Sequence, residues 1–230
     1  MDDSARRDAL FAGVKAIFPI LLGVVPFGVI AGVAAVEAGL DPVQAIAMSP
    51  IVFAGAAQLA AADLIARDAA PLVIVLTALV INARFAMYSA SLAPSLRGLG
   101  AWQKALGSYL LTDQAFAVSV TRFQQTDDDL GGRVAYYFGS AISLWITWQV
   151  SSVLGVIVGS GVPPEWSLDF AIPLVFMALL FPTIRDRGTR LAAVVAALSA
   201  VALIGLPLNL GLLAAAALGI SAGVISEVIP

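Results

Sequence analysis

The chain has 230 residues, of which 60% are hydrophobic and 12% charged, with a mean hydropathy of +0.98. An average soluble domain carries about 25% charge and about 45–50% apolar residues, so this much apolar surface belongs in a bilayer. The net charge of −3, without a basic stripe, argues against nucleic acid, and the absence of Cys and His removes disulfides, a thiolate nucleophile, the commonest general base and the commonest transition-metal ligand.

The expected fold is all-α: a polytopic helical membrane protein forming a single transmembrane domain over 1–230. Apolar segments fall at 16–36, 43–66, 71–93, 105–121, 134–159, 168–183, 190–206 and 208–228. A membrane span needs about 17–25 mostly apolar residues. The first, third, fifth and eighth segments meet this easily. The fourth, sixth and seventh are short and are candidates for partial or re-entrant helices. The first follows Arg6, Arg7 and Lys15. It is longer than the apolar region of a cleaved signal peptide and reads as a retained span.

The second segment contains Ser49, Pro50, Gly55 and Gln58. Pro50 removes a backbone donor and Gly55 loosens the chain, so together they predict a broken helix. A broken helix in lipid frees backbone groups, tolerated only where protein or water satisfies them, and it points an N-terminus at an anion such as a substrate carboxylate. Gln58 then supplies an amide. The plainer reading is a proline kink with Gln58 joining two helices.

The third segment carries Asn82, Arg84, Tyr88 and Ser89. Asn82 and Arg84 lie about 200° apart on a regular helix, so they face different sides unless it unwinds there. Arg84 and Tyr88, four apart, share a face. An Arg fork suits a carboxylate, and a fixed ion pair with Asp113 is the alternative. In the fourth segment, Thr112-Asp113-Gln114 puts an acid within an apolar run. A membrane-embedded Asp binds and releases a proton as its solvation changes, which a proton-coupled carrier needs. It is also the natural partner for Arg84.

The polar loop 124–132, with Asp127, Asp128 and Asp129, reads as a solvated connection; a metal site has no supporting spacing. The loop divides an expected internal repeat with halves 16–123 and 133–228. Gly39-Leu-Asp-Pro42 resembles Gly161-Val-Pro-Pro164, and Pro50-Ile-Val-Phe53 resembles Pro173-Leu-Val-Phe176. Repeats of this kind put a transporter's site at their interface near the midplane. Among lesser candidates, Asp63 pairs with Arg67 at i+4, Asp169 snorkels to an outer end, and Asn209 after Pro207 marks a turn. Eight crossings with an inner N-terminus put Arg6, Arg7, Lys15, Arg67, Arg122, Arg133, Arg185, Arg187 and Arg190 inside, and only Arg97 and Lys104 outside.

Phe53-Ala-Gly-Ala-Ala-Gln58, Asn82-Ala-Arg84 with Tyr88-Ser89, and Leu111-Thr112-Asp113, in this order, resemble the AzlC family, the large subunits of bacterial two-component branched-chain amino-acid exporters. The family pattern has an acid after the Thr-Asp, where this chain has Gln114, leaving Asp113 as the sole acid there. The resemblance implies a small AzlD-type membrane subunit as partner. It also implies export of valine, leucine and isoleucine, with methionine as a further candidate, driven by the proton-motive force across the bacterial inner membrane. The expected site comprises Ser49, Pro50, Gly55, Gln58, Asn82, Arg84 and Tyr88 for substrate, and Thr112 and Asp113 for the proton. Membrane lipid is the expected surround, with no cofactor, no metal and no enzymatic reaction. The rival reading is a channel or a membrane assembly subunit for another small solute. No Gly-x-x-x-x-Gly-Lys-[Ser/Thr] run is present, so ATP-driven transport requires another chain.

Overall fold

The computed structural model describes residues 3–161, 184, 186–206 and 210–228. Their regular structure is helical: α1 (Asp3–Glu37), α2 (Pro42–Ile51), α3 (Gly55–Ala66), α4 (Pro71–Asn82), α5 (Arg84–Leu92), α6 (Ala101–Tyr109), α7 (Asp113–Gln125), α8 (Leu130–Gly161), α9 (Arg187–Ala202) and α10 (Leu210–Val228). Four stretches among these residues are long and apolar enough to cross a bilayer: α1, α4 with α5, α8 and α10. They correspond to the first, third, fifth and eighth apolar segments. Large apolar side chains such as Phe18, Leu22, Leu79, Ile157 and Ile220 lie exposed along them. That surface is unfavourable in water and suits lipid. The sixth segment, Asp169, Pro207, Asn209 and the second-half members of both repeat matches beyond Gly161 lie outside the described residues.

The chain divides into two compact units, one of Met1–Leu59 with Leu79–Val162 and one of Ala60–Ala78 with Pro163–Pro230. The first is built on α1 and α8, which run parallel. Gly13 faces Tyr136, Gly32 faces Ser152 and Val156, and Gly155 faces Val29, each against backbone. A Cβ on Gly155 would come within 2.0 Å of the Val29 carbonyl oxygen. Small residues thus let the two backbones touch, which is how helices associate in lipid without a hydrophobic driving force.

α2 starts from a capping box, in which Asp41 accepts from the backbone of Val43 and Gln44 and the Gln44 side chain accepts from Asp41 N. Its first turns pack on the C-terminal ends of α1 and α8 through Ala35, Ala45 and Val156. It stops after Pro50, as expected, and a non-helical Val52–Ala54 precedes α3.

The fourth segment does not form one helix. Its two halves, α6 and α7, meet at a break over Leu110–Thr112. Gly98, just before α6, lies against Leu130 at the start of α8. The Tyr137 hydroxyl donates to the Gly107 carbonyl, and Trp145 Nε1 donates to the Tyr109 hydroxyl at 3.0 Å, so α6 climbs along α8. α7 then returns, with Phe123 and Arg122 against the Tyr136 ring. The pair is a helical hairpin that turns back at Leu110–Thr112. Half-helices of 9 and 13 residues reach about 13 and 20 Å, each well short of a hydrocarbon core of about 30 Å.

This corrects the charge tally made for eight crossings. Arg97 and Lys104 share a cavity with Val134 near the start of α8, where Arg6 approaches Gly131, Arg122 overlies Tyr136 and Arg133 overlies Phe123. They are at the N-terminal end of α1, not the opposite one.

The second unit holds an antiparallel pair, α9 and α10, in close contact at Gly211–Leu203, Gly219–Ala196 and Gly223–Ala192. Asp186 caps α9 by accepting from Thr189 N at 2.7 Å. Leu64, Ala69 and Val73 form its small core with Leu213 against them. Arg67 and Asp63 pair at 2.9 Å, as their spacing suggested.

Candidate functional site

Three breaks in the apolar segments supply the polar groups. At the first, Pro50 lacks an N–H, and its carbonyl accepts the Tyr109 hydroxyl at 2.8 Å. The tip of the α6–α7 hairpin therefore satisfies a backbone group that the α2–α3 break exposes. Trp145 Nε1 completes the relay, and the Phe53 and Tyr109 rings lie 6.2 Å apart. Gly55 opens α3 beneath the edge-to-face pair of Phe27 and Trp148; a Cβ there would meet the Trp148 ring at 2.5 Å. Its role is close packing. Ser49 and Gln58 are almost fully buried, and Ser49 Oγ and Gln58 Oε1 have no hydrogen-bond partner among the described residues. A buried unpaired polar atom costs about 1–3 kcal/mol, so it marks a place where a ligand or water belongs.

The second break is at Ala83, between α4 and α5. Ala83 N bonds Val80 O at 3.2 Å and Ala86 N bonds Ala83 O at 3.1 Å, both three residues apart, so the helix tightens for one turn. Asn82 and Arg84 flank the break. Asn82 Oδ1 and Arg84 Nε are buried with no hydrogen-bond partner among the described residues.

The third break presents α7. Thr112 is its N-cap, accepting from Ala115 N at 3.2 Å, and Asp113 is its first residue. Both carboxylate oxygens of Asp113 are held. Arg84 Nη1 lies 3.1 Å from Oδ2, and the Tyr88 hydroxyl donates to Oδ1 at 2.8 Å. Phe116, one turn along α7, stacks on Tyr88 with centroids 4.4 Å apart, which fixes the phenol.

The structure thus joins Arg84, Tyr88 and Asp113 into one network and makes Thr112 its support. No hydrogen bond among the described residues connects Ser49, Gln58 or Asn82 to it. Side-chain exposures of 32% for Arg84 and 37% for Asp113 matter at this depth. A charged group facing lipid mid-membrane costs several kcal/mol, so the exposed part of this pair requires water, solute or another protein beside it.

Sequence reasoning missed Tyr109 and Trp145, whose signal was only a Tyr and a Trp within apolar runs. The α7 start was more legible. Thr-Asp inside an apolar run is a helix-start pattern, and here it cuts the segment in two.

A family model described as AzlC protein matches residues 19–162, more than half of the chain and all nine expected site positions. The chain belongs to the AzlC family. Inner membrane protein YgaZ of Escherichia coli (strain K12) is 27% identical over 203 residues, 85% of this chain and 82% of that protein. An uncharacterized membrane protein of Archaeoglobus fulgidus is 30% identical over 194 residues, covering 82% and 83%. The branched-chain amino acid transport protein AzlC of Bacillus subtilis (strain 168) is 25% identical over 179 residues, covering 76% and 69%. No solved structure matches the chain. Within the AzlC match lie all three breaks and the Arg84–Asp113 pair.

Proposed function

We propose that this AzlC-family chain is the large subunit of a two-component secondary transporter that exports branched-chain amino acids in exchange for protons. Valine, leucine and isoleucine are the expected substrates, methionine a further one. The partner is a small AzlD-type membrane subunit, and the cation-rich N-terminal end of α1 faces the cytoplasm of a bacterial inner membrane. The name of the Bacillus relative supports the substrate class.

The observation that carries this reading is the Arg84–Asp113 pair at the junction of two broken helices. An amino-acid zwitterion can replace such a pair charge for charge. Its carboxylate takes Arg84, whose Nε has no partner among the described residues, and its ammonium takes Asp113. Asn82 Oδ1 and Gln58 Oε1 offer further acceptors. A proton on Asp113 removes the charge that holds the ammonium, so proton and substrate compete. That competition produces exchange rather than co-transport. Tyr88 and Thr112 act as positioning residues, keeping the carboxyl in place in both states.

The test is leucine efflux from preloaded cells expressing this chain with and without its small partner, with and without an uncoupler. Uncoupler-sensitive efflux that requires both chains is expected. Asp113→Asn should abolish gradient-driven efflux while membrane expression persists; full activity in that variant would sink the proton assignment. Flux retained in Arg84→Gln/Asp113→Asn would instead leave the chain as a scaffold for another solute path.

A further inference from the structure

We infer that the cavity between the end of α5, the following loop, α6 and the first turns of α8 binds an acidic phospholipid. The phosphate would sit on Arg97 and Lys104 and an acyl chain against the apolar wall. The cavity holds about 550 Å³, within the range of pockets that take small ligands. Leu92, Leu96, Leu111, Val134 and Phe138 line it. Arg97 and Lys104 line it as well, and no Asp or Glu does. Among the described residues neither cation has an ion-pair partner.

That imbalance selects the occupant. An amino-acid zwitterion would bring its ammonium beside two cations with no carboxylate to receive it. A headgroup with net negative charge and an apolar tail matches both halves of the cavity. The depth is also right. Trp102, 77% exposed and two residues before Lys104, is the kind of side chain that sits at a headgroup boundary. Arg6, Arg122 and Arg133 lie towards the same end, and basic pockets between helices at this level bind anionic headgroups. Arg84 and Asp113 do not line this cavity, so the inference stands apart from the transport reading.

The experiment uses the delipidated chain in neutral detergent, given phosphatidylglycerol or phosphatidylcholine, with bound lipid counted by native mass spectrometry. Retention of phosphatidylglycerol over phosphatidylcholine is expected. Arg97→Gln/Lys104→Gln should lower phosphatidylglycerol retention by about 30-fold. Ala93→Trp, which fills the cavity but keeps both cations, should lower it too. Unchanged gel-filtration profiles separate these losses from unfolding. Equal retention of both lipids, or unchanged retention in the double variant, overturns the proposal. Displacement of the lipid by inorganic phosphate would show an anion site without a tail, and displacement by leucine would show a substrate vestibule; either result also overturns it.

Discussion

At Asp113 each carboxylate oxygen has one partner, Arg84 on one and Tyr88 on the other. A carboxylate fixed this way has a defined orientation at the tip of α7, and within this network Arg84 Nε is a donor with no partner among the described residues. Asp128 in the polar loop shows the contrasting, structural use of a carboxylate. Burial works against its charge. Hydrogen bonds from Arg122 at 2.9 Å and Thr126 at 2.8 Å, with Arg122 and Arg133 nearby, outweigh that and hold the carboxyl below the usual range. Its contribution to stability is therefore complete above the ordinary Asp value of about 3.9 and disappears as pH falls through the lower folded value. Thermal unfolding in detergent should lose stability more steeply in acid for the wild type than for Asp128→Asn. Parallel pH profiles would assign the acid loss to other carboxylates. The loop that composition marked as solvated is exposed at Gln124, Gln125, Asp127 and Asp129 and is also a built turn, with Asp129 accepting from Gly132 N at 2.8 Å to cap α8.

Between elements, two kinds of contact hold the first unit together. One is the glycine-lined seam of α1 and α8. Gly155→Ala places a methyl 2.0 Å from a backbone oxygen that has nowhere to yield, whereas a Cβ on Gly23 meets nothing within 4 Å. Gly155→Ala should sharply lower the yield of folded protein on fluorescence-detected gel filtration, and Gly23→Ala should not. Equal yields would mean that the seam is looser than drawn. The other contact is the meeting of broken helices through Tyr109. Tyr109→Phe leaves the Pro50 carbonyl without its partner, at a cost of about 1–3 kcal/mol where no water replaces it. Trp145→Phe acts on the same relay, so the two losses in melting temperature should combine to less than their sum. Full additivity would separate the two hydrogen bonds energetically.

On the scale of the molecule, the α6–α7 hairpin decides which charges share an end of the first unit. The chain has no cysteine, so single replacements give clean accessibility labels. Trp102→Cys and Asp127→Cys should react with an impermeant maleimide from the same side of the membrane. Reaction from opposite sides would restore the fourth segment as a crossing. We propose the repeat halves 16–123 and 133–228 as parallel copies, a reading supported by the parallel course of α1 and α8 at the head of each.

The sequence by itself determined that this chain is an all-helical membrane protein of the AzlC family. It also gave the four stretches able to cross the bilayer and the helix break at Pro50. These follow from hydrophobicity summed over a span and from the missing proline N–H, both local properties of the chain. The i+4 pair of Asp63 and Arg67 was legible for the same reason. Only the tertiary structure decided that the fourth segment turns back at Thr112, that the pairing of Arg84 with Asp113 anticipated from the sequence forms and takes in Tyr88, and that Tyr109 seals a break 59 residues away. Those outcomes depend on which freed backbone and charged groups find each other in a medium that offers no water, and partners far apart in sequence leave no periodic trace in it.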